Sequence, residues 1–167
     1  MPSFELSPIG RVEFPSNPDG HWEFSLSRAD HAVEVDFNLD DGEMTKQGFE
    51  RVKQFVERVD AFESVARKAI EADFASDPDG SSALYLSHHA EELNADERLK
   101  YFGSKDTGAL GVQQLLGSLH LRRIGLYPES EDYVAVFDYS LDPDVTQYIL
   151  AVEFDSSGNV VGISMDS

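Results

Sequence analysis

Cysteine is absent from the 167-residue sequence, which excludes disulfides, thiolate metal sites and cysteine nucleophiles together. Basic residues are scarce: 13 lysines and arginines stand against 32 aspartates and glutamates, for a net charge of −19. Arg122 and Arg123 adjoin, but in an acidic chain they make no patch for nucleic acid. No apolar run approaches the roughly 18 residues that a membrane-spanning helix needs. The first residues, MPSFELSPIGRVEF, have neither the basic start nor the apolar core of a signal peptide, so a cytoplasmic location is expected. The catalytic sequence signatures are also missing: there is no GxSxG, no P-loop and no GxGxxG.

What is present suffices for a core. The hydrophobic fraction is 41%, and 11 Phe, 6 Tyr and one Trp argue against disorder in spite of the charge. At this length one domain, residues 1–167, is expected. The acidity is unevenly placed. Residues 1–44 carry −8, residues 45–74 are neutral, 75–120 carry −4 and 121–167 carry −7. Such a surface repels nucleic acid and anionic membranes and attracts basic partners over a range set by salt. Acidity also serves solubility, so charge alone does not define a site.

The neutral stretch is the longest periodic element. From Thr45 to Phe74, the residues Phe49, Val52, Phe55, Val56, Val59, Phe62, Val65, Ala66, Ala69 and Ile70 recur at steps of three and four. They fall on one stripe of a long helix, with Thr45 as its N-cap. Four i,i+4 pairs, Lys46–Glu50, Lys53–Glu57, Glu63–Arg67 and Arg67–Glu71, lie on its other face. A second helix is predicted over 81–93, capped by Ser82, and a third over 107–120, capped by Thr107; residues 94–106 read as turns, with Asn94–Glu97 able to start one helical turn.

The flanks alternate. Residues 9–15, 21–27 and 31–39 predict three N-terminal strands, the third ended by Asp40, Asp41 and Gly42. Four more follow at 121–126, 131–139, 145–154 and 159–165, and the loop Asp155–Gly158 is the strongest hairpin signal. The expected fold is therefore α+β: a mostly antiparallel sheet, with three N-terminal and four C-terminal strands, packed on a long central helix and two shorter ones. In the C-terminal strands a second apolar set, Val134, Val136, Ile149 and Ala151, opposes Tyr133, Ala135, Phe137, Leu150 and Val152. Left in water it would form an apolar patch, so a homodimer through the C-terminal strands is expected to cover it.

The run DYSLDPDVTQYILAVEFDSSGNVVGISMDS, with LRRIGLYPES before it and the helical YLSHHAEEL, resembles a bacterial protein family of unknown function, made up of small cytoplasmic proteins of scattered occurrence. The resemblance covers most of the chain beyond the first strand. It implies a stand-alone domain and carries over no catalytic or binding residue.

Few side chains offer chemistry. His88 and His89 with Glu91 and Glu92 are the single cluster of metal-ligand types, and His88 shares a helix face with Glu91 or Glu92. Two ligands are not a site, and a helix surface with one half-buried histidine explains the same residues. Asp77-Pro-Asp79-Gly80 looks like part of a calcium loop, but EF-hand register puts Leu86 where the bidentate acid belongs, leaving a helix-ending turn. The strand acids Glu34/Asp36 and Asp138/Glu153 read as solvated before they read as a catalytic pair. Two functions follow. One is a non-enzymatic acidic binding domain without cofactor that takes a basic protein partner, for example an immunity-type protein against a toxin. The other is a metal-dependent enzyme built on His88, His89 and Glu92.

Overall fold

A computed structural model describes residues 3–40 and 42–167; Asp41 of the predicted strand end and the first two residues lie outside them. Among the described residues there are eight strands, one more than the seven expected, the addition being Ser3–Leu6. β1 (Ser3–Leu6) and β2 (Gly10–Glu13) make a two-stranded antiparallel sheet of their own. β3 (His21–Ser27), β4 (Ala32–Asn38), β5 (His120–Leu126), β6 (Ala135–Ser140), β7 (Ile149–Phe154) and β8 (Val160–Asp166) form a six-stranded sheet in that order. The fold is α+β. The first predicted strand, 9–15, is corrected on two counts: it is shorter, and it pairs with β1 rather than joining the main sheet. Its apolar residues Val12 and Phe14 still reach the core, because the small sheet folds over the end of the large one and sets Phe14 against Phe37 and Phe49 at 4.9 and 6.2 Å.

The six-stranded sheet is antiparallel except between its second and third strands, where β4 and β5 run parallel. Parallel neighbours need a long crossover, and here the whole helical segment supplies it. The hairpin between β7 and β8 closes on Asp155, whose carboxylate accepts from Ser157 and Asn159 N–H, and Gly158 takes φ +86°. A Cβ at Gly158 would lie 2.8 Å from the Phe62 ring, so both the turn and the packing require glycine there.

Thr45 caps the helical segment as its residue type predicts, accepting from Gly48 N–H at 2.9 Å. The single long helix does not form. Its span is divided into α1 (Lys46–Val52), α2 (Gln54–Glu57) and α3 (Val59–Ser76). Lys53 keeps helical angles, but Arg58, at φ −120° and ψ 39°, turns the chain. The turn lets one stripe serve two surfaces. Phe49 stacks on Phe4 at 4.5 Å beside the small sheet, whereas Phe55 and Phe62 each lie 5.6 Å from Phe154 on β7. A twisted sheet turns away from a straight rod along its length, so a bent helix stays in contact for longer. Of the four expected charge pairs Glu63–Arg67 forms, at 3.1 Å, while Lys53 turns back to Glu50 at i,i+3. Arg67 also donates to the Leu116 and Leu119 carbonyls, tying α3 to the last helix.

The remaining helices are α4 (Ser81–Glu92), α5 (Ala95–Phe102) and α6 (Val112–Ser118). Ser82 does not cap α4; Gly80 holds that position, and Ser82 is buried as the second residue of the helix. The turn-rich reading of 94–106 is also corrected. Asn94 and Glu97 form a reciprocal capping box and start two turns of helix, which Gly103 ends in the left-handed region. The third predicted helix, 107–120, is divided: Asp106 rather than Thr107 caps a short 3-10 turn, Thr107–Ala109, and Gly111, in extended conformation, separates it from α6. Glycine there costs the helix about 1 kcal/mol relative to alanine, which favours the break.

The stripe therefore sets stability. Phe55 is fully buried and Phe55→Ala is expected to cost about 3–5 kcal/mol. Lys53, partly exposed and paired only to Glu50, is expected to cost under about 0.5 kcal/mol as Lys53→Ala. Urea melts check this, and equal costs would mean the faces are misassigned.

Candidate functional site

Strand alternation and register divide the large sheet into two unlike faces. One row, Phe24, Val35, Ile124, Phe137, Val152 and Ile163, and its neighbour, Trp22, Phe37, Leu126, Ala135, Phe154 and Val160, face the helices. The intervening rows point the other way. One runs Glu23, Asp36, Gly125, Val136, Glu153, Gly162; the next runs Ser25, Glu34, Arg123, Asp138, Ala151, Ser164. The buried side chains of the helices join the core with the inward rows, and Val136 and Ala151, though buried, stand outside that core. Glu23, Ser25, Glu34 and Asp166 are exposed. This is an open face, and it is acidic.

The expected apolar patch on this face is therefore corrected. Val134, Val136 and Ala151 are 1%, 9% and 4% exposed within a single chain, and Ile149 is half-buried. Val136 lies between Glu153 and a glycine, and Ala151 lies between Asp138 and Ser164, so longer polar side chains cover the short apolar ones. Three of the four are thus buried without a second subunit.

At the centre of the face Arg123 holds two carboxylates from two different strands. It donates through Nε and Nη2 to Asp36 at 2.7 and 2.8 Å, a two-pronged pairing, and through Nη1 to Asp138 at 3.0 Å. Nη2 also reaches the Tyr127 hydroxyl at 3.3 Å, and Asn38 donates to Asp36 at 3.1 Å. The carboxylates are nearly buried, at 3% and 8% side-chain exposure, while Arg123 retains 27%. Gly125 permits this: a Cβ there would lie 2.8 Å from both terminal guanidinium nitrogens, so only glycine lets Arg123 lie flat on the sheet. Gly162 does the same for Glu153.

The two acids differ. Asp138 makes one hydrogen bond, and its Oδ1 is buried without a partner. Burial pushes its carboxyl up from the usual range, against the pull of Arg123, with Asp36 and Asp166 adding to the rise. Burial also raises Glu34, helped by Glu23 and Asp36. Burial works to lower the Arg123 pKa, but its bonds to Asp36 and Tyr127 carry it above its ordinary value. His21 bridges Glu23 and Asn38 at 3.0 and 2.8 Å, and the Glu23 bond first, then Asn38, holds its pKa up.

The predicted metal residues have other roles. His89 is buried, with one ring nitrogen bonded to the Tyr85 carbonyl at 2.7 Å and the other to Thr146 Oγ1 at 2.8 Å. Neither nitrogen is free for a metal. His88 packs its ring against Tyr148 at 4.7 Å, and Glu92 is exposed at the rim of the same cleft. Among the described residues no three His, Cys, Asp or Glu side chains come together in a metal-binding group. The Asp77 fragment is a turn, its carboxylate accepting from Asp79 N–H. A further cleft, of about 480 Å³, lies beside His31 and His120, but its arginines are already engaged: Arg28 by Asp60 and Glu63, and Arg67 by Glu63.

Sequence reasoning paired Glu34 with Asp36 and Asp138 with Glu153. The structure instead joins Asp36 to Asp138 across Arg123, a residue that the sequence reading weighed only as part of a base pair. The one available signal was an arginine in a strand whose neighbours in the sheet, β4 and β6, each carry an aspartate on the outward alternation. Comparison with protein-family models, with curated proteins and with solved structures finds no match.

Two outcomes follow. Asp36→Asn removes the negative charge and one of the two acceptors from a partly buried arginine and is expected to cost about 2–4 kcal/mol, whereas Asp138→Asn, at a site where burial disfavours charge, is expected to cost under about 1 kcal/mol. Denaturant melts giving the reverse order would contradict the assignment. Burial lowers the His89 pKa below its ordinary 6.5, so the unfolded chain takes up its proton first. The stability His89 supports is complete above that value and falls as pH drops through it. The difference in stability between the wild type and His89→Gln is expected to shrink between neutral pH and pH about 5; a pH-independent difference would mean that His89 is not held neutral.

Proposed function

We propose that this chain is a non-enzymatic binding domain whose open sheet face takes a basic protein partner, as an immunity-type protein takes a toxin. One observation carries the reading: the face that the helices leave uncovered bears Glu23, Glu34, Asp36, Asp138, Glu153 and Asp166 against Arg123, whose charge is already held by two of them. The helical span 45–74 is neutral by comparison, so the acidity of this face is not matched on the layer that packs beneath the sheet. A charged sheet face suits fast, salt-sensitive association with an oppositely charged surface. The absence of a helix over it gives a partner access to the full width of the sheet.

Two triple variants of equal net charge test this, with deca-lysine as the basic probe in isothermal titration. Glu23→Gln, Glu34→Gln and Glu153→Gln clear the open face; Glu57→Gln, Glu71→Gln and Glu91→Gln clear the exposed helical side. The face variant is expected to lose about tenfold or more in affinity and most of its salt dependence, and the helical variant little. Equal losses would reduce the acidity to a bulk property.

A further inference from the structure

The large sheet has two edges, and they are not equally guarded. β3 is flanked by its own upstream segment: Asn17 Nδ2 donates to the His21 carbonyl at 2.6 Å, and Trp22 Nε1 donates to the Pro15 carbonyl at 2.9 Å. β8 has no such cover. Its sequence, VVGISMD, contains no lysine, arginine or proline, and the one irregularity in its pairing, between Val160 and Gly162, leaves Gly162 to Asp166 as a regular edge.

The direction of the edge amides follows from the hydrogen bonds around β7. Val134 N–H donates to the Phe154 carbonyl, so Phe154 faces β6; Asp155 N–H donates to the Asn159 carbonyl, so Asp155 faces the β8 side. Alternation then turns Glu153, Ala151 and Ile149 toward β8, where their register partners are Gly162, Ser164 and Asp166. Ile163 and Met165 are left with N–H and C=O groups pointing outward, without a hydrogen-bond partner among the described residues. The side chains at this edge are equally distinct. Ile163 and Met165 face the helix layer and are half-buried although the core continues beneath them, and Ser164 and Asp166 lie on the acidic face.

We infer that β8 is a docking edge for an extended segment of the basic partner, which adds to the sheet as a seventh strand with alternating apolar and basic side chains. This rests on the proposed function and gives its partner a form. Ladder bonds to Ile163 and Met165 supply register, apolar side chains complete the cover over those two, and every second side chain lies beside Asp166 and Glu153 on the open face. Charge decides the occupant. A second copy would bring another −19 to an edge that already adjoins an acidic face, whereas a lysine- or arginine-bearing strand neutralises it.

The probe is a short peptide alternating valine and lysine, compared with the same peptide N-methylated on one edge, so that charge is kept while the ladder donors are removed. Strand addition predicts protection of the Ile163 and Met165 amides from hydrogen exchange on binding, and a loss of about tenfold or more in affinity on N-methylation. Equal affinity for both peptides with both amides still exchanging would overturn strand addition yet leave charge-driven docking standing. Binding lost on N-methylation but unmoved by the Glu23, Glu34 and Glu153 replacements would support the edge and remove the acidic-face reading. Sedimentation showing a dimer of the free protein in which both amides are already protected would give the edge to a second copy and overturn the inference.

Discussion

The structure depends on a sheet covered on one side only. Strand alternation sends Phe37, Ile124, Phe137, Val152 and Phe154 to the helix layer, and the same alternation must send their neighbours to the opposite face. The stripe of α1–α3 fits the first set, with Phe49, Phe55, Phe62, Ala66 and Ile70 buried in it. Among the described residues no further element covers the second set, so that face must be compatible with water. Its residues show how this is achieved. Short apolar side chains sit between long polar ones, and two glycines let Arg123 and Glu153 lie along the sheet instead of standing off it.

Arg123 links the fold to the surface. It spans β4, β5 and β6, the strands on either side of the parallel pairing, and so fixes that junction by side chains as well as by the backbone ladder. Burying two carboxylates is unfavourable unless both are paired, and one arginine cannot pair them equally. Asp36 takes the two-pronged contact and Asp138 the remaining donor, which leaves Asp138 Oδ1 unpartnered and its carboxyl raised. Glu23, Glu34, Glu153 and Asp166 on the same face make no ion pair with that arginine. Those carboxylates are the physical content of the proposed partnership with a basic protein.

The layers and most of the strands were legible in the sequence because they rest on periodicity: the stripe of three and four from Phe49 to Ile70, and the alternation of Val33, Val35 and Phe37. Caps were legible where one side chain decides, as at Thr45. The bend at Arg58 was not, since no proline or glycine marks it and its cause is the twist of a sheet formed elsewhere. Nor was the parallel junction of β4 and β5, which joins segments more than eighty residues apart. Without that junction Asp36, Arg123 and Asp138 read as unrelated surface charges. His89 misled for the opposite reason: residue type and spacing suggested a ligand, while its actual partners, Thr146 and its own helix carbonyl, are visible only in three dimensions.

The central claim is that the uncovered sheet face is net acidic, with six carboxylates against Arg123, whereas the helical span 45–74 is neutral. Paramagnetic relaxation of backbone amides by a cationic and an anionic nitroxide, compared residue by residue, reads the local potential without needing a partner. The account predicts that the cationic probe is most enriched at the amides of Glu23, Glu34, Glu153 and Asp166, and far less at those of Glu57, Glu71 and Glu91 on the helical side. A ratio that is uniform over the surface, or highest on the helices, would contradict it.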